Sequence, residues 1–172
     1  ALQFGKYVER NMPDVRAIYT RKTDVFIPLK ERANIANRAN ADLFISVHTN
    51  ALPAGKIARG FETYTLGMHR AKDNLDVAMR ENSVISMEKD YQQRYQGFDP
   101  RSSESYIIFE FIQGKNMERS VELARMIQRG VCDGANRPDK GVHQAGFLVL
   151  RETSMPGCLI ELGFITTPDE ER

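Results

Sequence analysis

Apolar runs bounded by turn residues mark five candidate strands: VRAIYT (15–20), LFISVHT (43–49), GFETYTL (60–66), GFLVL (146–150) and CLIELGF (158–164). LFISV and CLI are nearly continuous in apolar character rather than alternating, the pattern of strands buried on both faces of a sheet covered by helices. Between the first two runs, PLKERANIANRANA predicts a helix. Pro28 suits its first turn, and Leu29, Ala33, Ala36 and Ala39 fall on one stripe. NMERSVELARMIQRGV predicts a second, with Met117, Val121, Ala124, Ile127 and Val131 on one face and Asn116 as its cap. Strands alternating with helices predict an α/β fold, a three-layer sandwich whose mixed, mostly parallel central sheet is flanked by helices.

One stretch breaks this rhythm. Residues 67–115 separate a strand from the next helix by far more than the usual few-residue connection. Roughly 70–92 is charged and helix-friendly, and YQQRYQGFDPRSSESY is aromatic, polar and turn-rich. Such an insertion is either a solvated excursion or an element that covers a site. The opening ALQFGKYVER reads as an amphipathic helix already in progress, and TTPDEER as an acidic helix start with no helix after it. The expectation is a single domain over 1–172 that is cut at both ends.

Composition narrows the classes of function. The 172 residues are 41% hydrophobic, too apolar for a disordered chain, and no apolar run approaches the length of a membrane span. Twenty-four basic residues against 23 acidic ones leave no global field to attract nucleic acid or anionic lipid. Two cysteines, Cys132 and Cys158, are too few for a disulfide framework and lack metal-site spacing. No GxGxxG, P-loop, GxSxG or CxxC motif is present, which removes support for nucleotide, serine-hydrolase and thiol-redox chemistry.

Two residues stand where open α/β sheets bind ligands, at the carboxyl ends of strands. His48 closes LFISVHTN at the step from apolar strand to polar turn, and is equally readable as a core histidine. Glu161 interrupts CLIELGF, where an ionised carboxylate costs several kcal/mol unless paired, hydrogen-bonded or near a metal. A structural ion pair to Arg151 is the plain alternative. A neutral imidazole can hold zinc and a nearby glutamate can take a proton from water. His69 and His143, in the insertion and in the loop DKGVHQAG, show no ligand spacing and read as structural.

TRKTDVFIPLKERANIANRANADLFISVHTNA, then GFETYTL, then GVHQAGFLVLRETSMPGCLIELGFITTPDEE resemble the zinc-dependent N-acetylmuramoyl-L-alanine amidases of the amidase-3 type. The resemblance covers nearly the whole chain outside the insertion, and SVHTN and IELGFITTPDEE are its most specific pieces. It implies a peptidoglycan hydrolase that cleaves the amide between N-acetylmuramic acid and L-alanine, with Zn2+ as cofactor and a periplasmic, cell-envelope location. His48 matches a metal-ligand histidine and Glu161 the catalytic glutamate. The family's other two ligands, a histidine in a GHGG-like motif on the opening strand and a glutamate after it, have no counterpart in this sequence, so the first strand is expected to be missing. His143 stands where the family has lysine.

Cell-division amidases of this type carry a helical insertion at the same place, and the resemblance implies autoinhibition by an acidic ligand until an activator protein displaces it. Glu81, Glu88 and Asp90 are the candidates, with Glu81 preferred for its REN context. The alternatives are a peptidoglycan-binding domain without catalysis and a zinc peptidase acting on the stem peptide.

Overall fold

A computed structural model describes residues 1–69, 71–111 and 116–171. Arg70 and residues 112–115 of the insertion lie outside the described residues. The elements run α1 (Leu2–Asn11), α2 (Leu29–Arg38), β1 (Phe44–Asn50), β2 (Phe61–Leu66), α3 (Lys72–Asn82), α4 (Tyr91–Arg94), α5 (Met117–Gly134), β3 (Asp139–Ala145), α6 (Leu148–Arg151) and β4 (Gly157–Phe164). Two 3-10 turns, Ser83–Met87 and Ser103–Phe111, complete the insertion.

The four described strands form one sheet in the order β1-β4-β2-β3. β1 pairs with β4 and β2 with β3 in parallel, while β2 meets β4 antiparallel, which gives the mixed, mostly parallel sheet. Alternation along the strands divides the sheet into two unlike faces. Ile45, Val47, Phe61, Val142, Cys158 and Ile160 pack beneath Ala124, Ile127 and Val131 of α5. Two buried polar residues of α5 tie the helix to this face. Gln128 donates to Phe61 O and accepts from Thr63 Oγ1, and Ser120 Oγ accepts from the Gly157 N–H. Asn116 does not cap α5. Its side chain donates to Ser154 O instead.

The opposite face carries Phe44, Tyr64 and Leu159 in a larger core with Leu29 and Ala36 of α2, Phe147 to Leu150, and the insertion. Val77, Ala78, Ile85, Tyr95, Phe98, Tyr106 and Phe109 all enter this cluster. The insertion is therefore a structural third layer rather than a solvated excursion. It also completes α2, whose first backbone N–H groups have no helical partners. Glu88 Oε1 accepts from Leu29 N–H and the Tyr95 hydroxyl from Lys30 N–H, while Arg94 pairs with Glu88 at 2.8 Å.

Two predicted strands are corrected. Residues 15–20 form no strand, and Val15 and Ile18 are exposed. β1 is the sheet edge, and a strand without a ladder partner gains nothing for its extended backbone. GFLVL is a turn followed by the single helical turn α6, because a short, wholly buried apolar run carries no periodicity to separate strand from helix. The strand lies just before it, so His143 sits on β3 rather than in a loop. Gly60 opens β2 at φ +117°, and a Cβ there would meet Pro138 O at 2.4 Å. That contact lets β2 and β3 start side by side.

The C-terminal TTPDEE stretch closes the sheet's end. Glu170, almost wholly buried, accepts from the Gly60 and Phe164 N–H groups and pairs with Arg137 at 2.7 Å. No helix of the described residues is long and apolar enough to cross a membrane.

Since so much of the core comes from the insertion, deleting 70–105 is expected to abolish cooperative folding. Loss of the sigmoidal urea transition and of native near-UV circular dichroism would show it.

Candidate functional site

β1 and β4 run in parallel, and their register sets His48 directly beside Glu161. The antiparallel register of β4 with β2 sets Glu62 beside Glu161 on its other flank. Registered neighbours share a face. The result is a row of ionisable side chains, His48, Glu161 and Glu62, across three adjacent strands on the face away from α5. The ladder slips between His48 and Asn50, where β4 carries an extra residue.

The last turn of α3 lies against this row. Glu81 Oε2 is 2.7 Å from His48 Nδ1, and a carboxylate accepts only, so Nδ1 carries the proton. The other ring nitrogen, Nε2, is 2.8 Å from the Ser46 hydroxyl. Arg80 Nε stands 3.5 Å from Glu81 Oε1. Burial opposes ionisation of Glu81, but His48 and Arg80 outweigh it and hold its carboxyl below the ordinary range.

Glu161 is the opposite case. It is fully buried, and among the described residues neither carboxyl oxygen has a hydrogen-bond partner. Arg151, the partner considered from the sequence, instead pairs with Glu152 at 2.9 Å. Burial, then the neighbouring Glu81 and Glu62 carboxylates, push the Glu161 pKa up to about 8 against a weaker pull from Arg80. Tyr64 is raised as well, by burial first and then by Glu62.

The other sequence candidates separate cleanly. Glu88 caps α2 from within the core, and Asp90 is exposed in a left-handed conformation at the start of α4. His69 takes no part in the cluster. His143 donates through Nε2 to Lys140 O, with Glu62 Oε2 4.0 Å away and the Tyr64 ring at 5.3 Å. Asn50, Glu62 and Arg80 were not singled out from the sequence. Glu62 carried a usable signal, since GFETYTL holds a carboxylate inside an apolar strand just as CLIELGF does.

His48, Glu81 and Glu161 each present one ligand atom within 4.8 Å of the others. One imidazole nitrogen and two carboxylate oxygens suit zinc, and a buried carboxyl with no partner is the kind of group a cation satisfies. The donor set fits the metal that the sequence resemblance implies.

A mixed α/β sheet bearing a histidine and buried carboxylates at its strand ends defines a candidate metallohydrolase domain. The N-acetylmuramoyl-L-alanine amidase family model, Amidase_3, matches residues 1–172, and the chain belongs to that family. It is 30% identical over 160 residues to N-acetylmuramoyl-L-alanine amidase AmiA of Escherichia coli, covering 92% of this chain and 53% of that protein. The endolysin of Bacillus phage SPP1 is 33% identical over 157 residues, covering 91% and 41%. The chain thus spans about half the length or less of these relatives. Among solved structures, an N-acetylmuramoyl-L-alanine amidase from Clostridium difficile superposes with a TM-score of 0.61 at 29% identity, covering 99% of this chain and 68% of that one.

The raised Glu161 pKa links protonation to stability in the metal-free protein. The folded state keeps a proton that the unfolded chain releases near 4.5, so the contribution is present below that pH and is lost as pH rises toward about 8. Chelator-treated protein should lose thermal stability across that window, and Glu161→Gln should flatten the dependence. Melting curves at a series of pH values test this.

Proposed function

We propose that residues 1–172 form one catalytic domain that hydrolyses the amide between N-acetylmuramic acid and the L-alanine of peptidoglycan stem peptides, with zinc as its cofactor. Family membership supports the reaction, and the unpartnered, buried Glu161 beside His48 is the observation that carries the site. His48 would hold the ion with Glu161 adjoining, and Glu81 would sit on it as the inhibitory ligand in the arrangement described here. A zinc ion bound there would polarise the scissile carbonyl and lower the pKa of its water toward about 7.

The protein's own residues supply the remaining chemistry. Glu161 takes a proton from the attacking water and returns one to the departing amine. Its burial keeps bulk water from competing for that proton, and Ser46 orients the His48 ring through Nε2.

Glu81 makes the insertion a regulatory element in this reading. Its contact with His48 occupies the site, and an activator protein acting on the insertion would withdraw it. A location in the cell envelope follows from the substrate.

Mass spectrometry of sacculus digests tests the reaction. Free stem peptides beginning with L-alanine, beside intact glycan, are the expected products. Cleavage inside the peptide would make the protein a peptidase, and binding without products would make it a wall-recognition module. Glu161→Gln should keep zinc, measured by elemental analysis, and lose turnover by about 10²–10⁴-fold. Glu81→Ala should raise hydrolysis in the absence of any activator, and an unchanged rate would sink the inhibitory role.

A further inference from the structure

Arg80 does more than border Glu81. Its Nη1 donates to Ala51 O and its Nη2 to Asn50 Oδ1, both at 2.6 Å. The two acceptors lie at the carboxyl end of β1, two and three residues beyond His48, on the side where such sheets take ligands. Asn50 is almost wholly buried, and its Nδ2 donates to Glu62 Oε1 at 2.5 Å. A carboxylate accepts and a guanidinium donates, so these partners fix the amide's orientation without ambiguity. The Ala51 N–H also donates to Asn50 Oδ1 at 2.7 Å. Glu62 thereby holds the Asn50 oxygen toward α3, whether or not Arg80 is there to use it.

A pair of acceptors held in place beside the row is able to take two N–H groups, and the guanidinium fork presents two. We propose that Ala51 O and Asn50 Oδ1 form a subsite for amide N–H groups of the substrate next to the scissile bond, and that Arg80 fills it as an internal substrate mimic. The inference rests on the amidase reading, because an amide-rich substrate is what the subsite would hold. Arg80 and Glu81 then block different things from one helical turn. Glu81 occupies the reactive end of the row, and Arg80 the place where substrate is gripped. Arg80 is accordingly a competitor for a binding position, and Glu62 a positioning residue that acts through Asn50.

The test uses Glu81→Ala protein, its zinc content measured by elemental analysis, as the reference, so that the reactive end is open, with a soluble muropeptide as substrate. Adding Arg80→Ala should lower KM about tenfold, the effect of uncovering two acceptors, with kcat changed little. Arg80→Lys keeps the charge without the fork and should fall between. Millimolar guanidinium ion should compete with substrate in the Arg80→Ala protein and shift the NMR signals of Asn50 and Ala51. Urea, a neutral amide with the same N–H fork, should do both in the Arg80→Ala protein, and the parent with Arg80 in place should be indifferent to both. A merely structural staple would change melting temperature without producing guanidinium competition. Hydrolysis with the same KM in all three proteins and no guanidinium effect would overturn the subsite and leave the amidase reading intact. No hydrolysis by any of them with zinc bound would overturn the amidase reading, and absent guanidinium shifts at Asn50 and Ala51 would overturn the subsite whether or not zinc is bound.

Discussion

A carboxyl group buried at the centre of a sheet, with no hydrogen-bond partner among the described residues, is the constraint around which this domain is arranged. Glu161 stands between Glu62 and Glu81, with one guanidinium nearby and one imidazole beside it. Leaving such a group ionised and unpaired costs several kcal/mol, so without a cation the fold keeps it protonated. The expense is tolerable because the other face of the same strands packs an apolar cluster under α5, and its buried Thr63, Gln128 and Ser120 are hydrogen-bonded. One face secures the sheet, and the other is free to hold chemistry.

The insertion has two parts to play, and they pull against each other. It builds a large share of the second core and caps α2 with Glu88 and Tyr95, so it is not a loosely docked flap. It also delivers Arg80 and Glu81 to the row. Asn82, the next residue, is buried and bonds to Gly146 O, the Leu148 N–H and the Tyr106 hydroxyl. Three consecutive side chains thus join α3 to three separate places: the end of β1, His48, and the entry to α6. Moving the whole helix would strip Asn82 of its partners and open the core around Ala78 and Ile85. A local change at the last turn of α3 disturbs far less of the structure, so the regulation proposed for the Arg80–Glu81 pair would need only that turn.

Much of the architecture was legible along the chain, because burial leaves a periodic trace. The helix from Leu29, the α5 stripe through Ala124, Ile127 and Val131, and the strands around LFISV and CLIEL follow from apolar pattern alone. GFLVL and VRAIYT misled for opposite reasons. The first is wholly buried, so it lacks the contrast that distinguishes a helical turn from a strand. The second has strand composition but joins no sheet among the described residues.

The candidate site divides in the same way. His48 and Glu161 could be singled out from the sequence because each is polar where an apolar strand predicts otherwise, and the family motifs around them are short and local. Glu81 was one of three acids on a charged stretch, and only tertiary packing separates them: one reaches His48, one caps a helix, one faces solvent. Asn50, Glu62 and Arg80 meet through strand register and the placement of α3, relations that join residues up to 30 positions apart. Local patterning determined which segments would be buried and which polar residues would be anomalous there. Which of those anomalies face one another was decided by the folded sheet, since pairing across strands depends on register and topology rather than on neighbouring sequence.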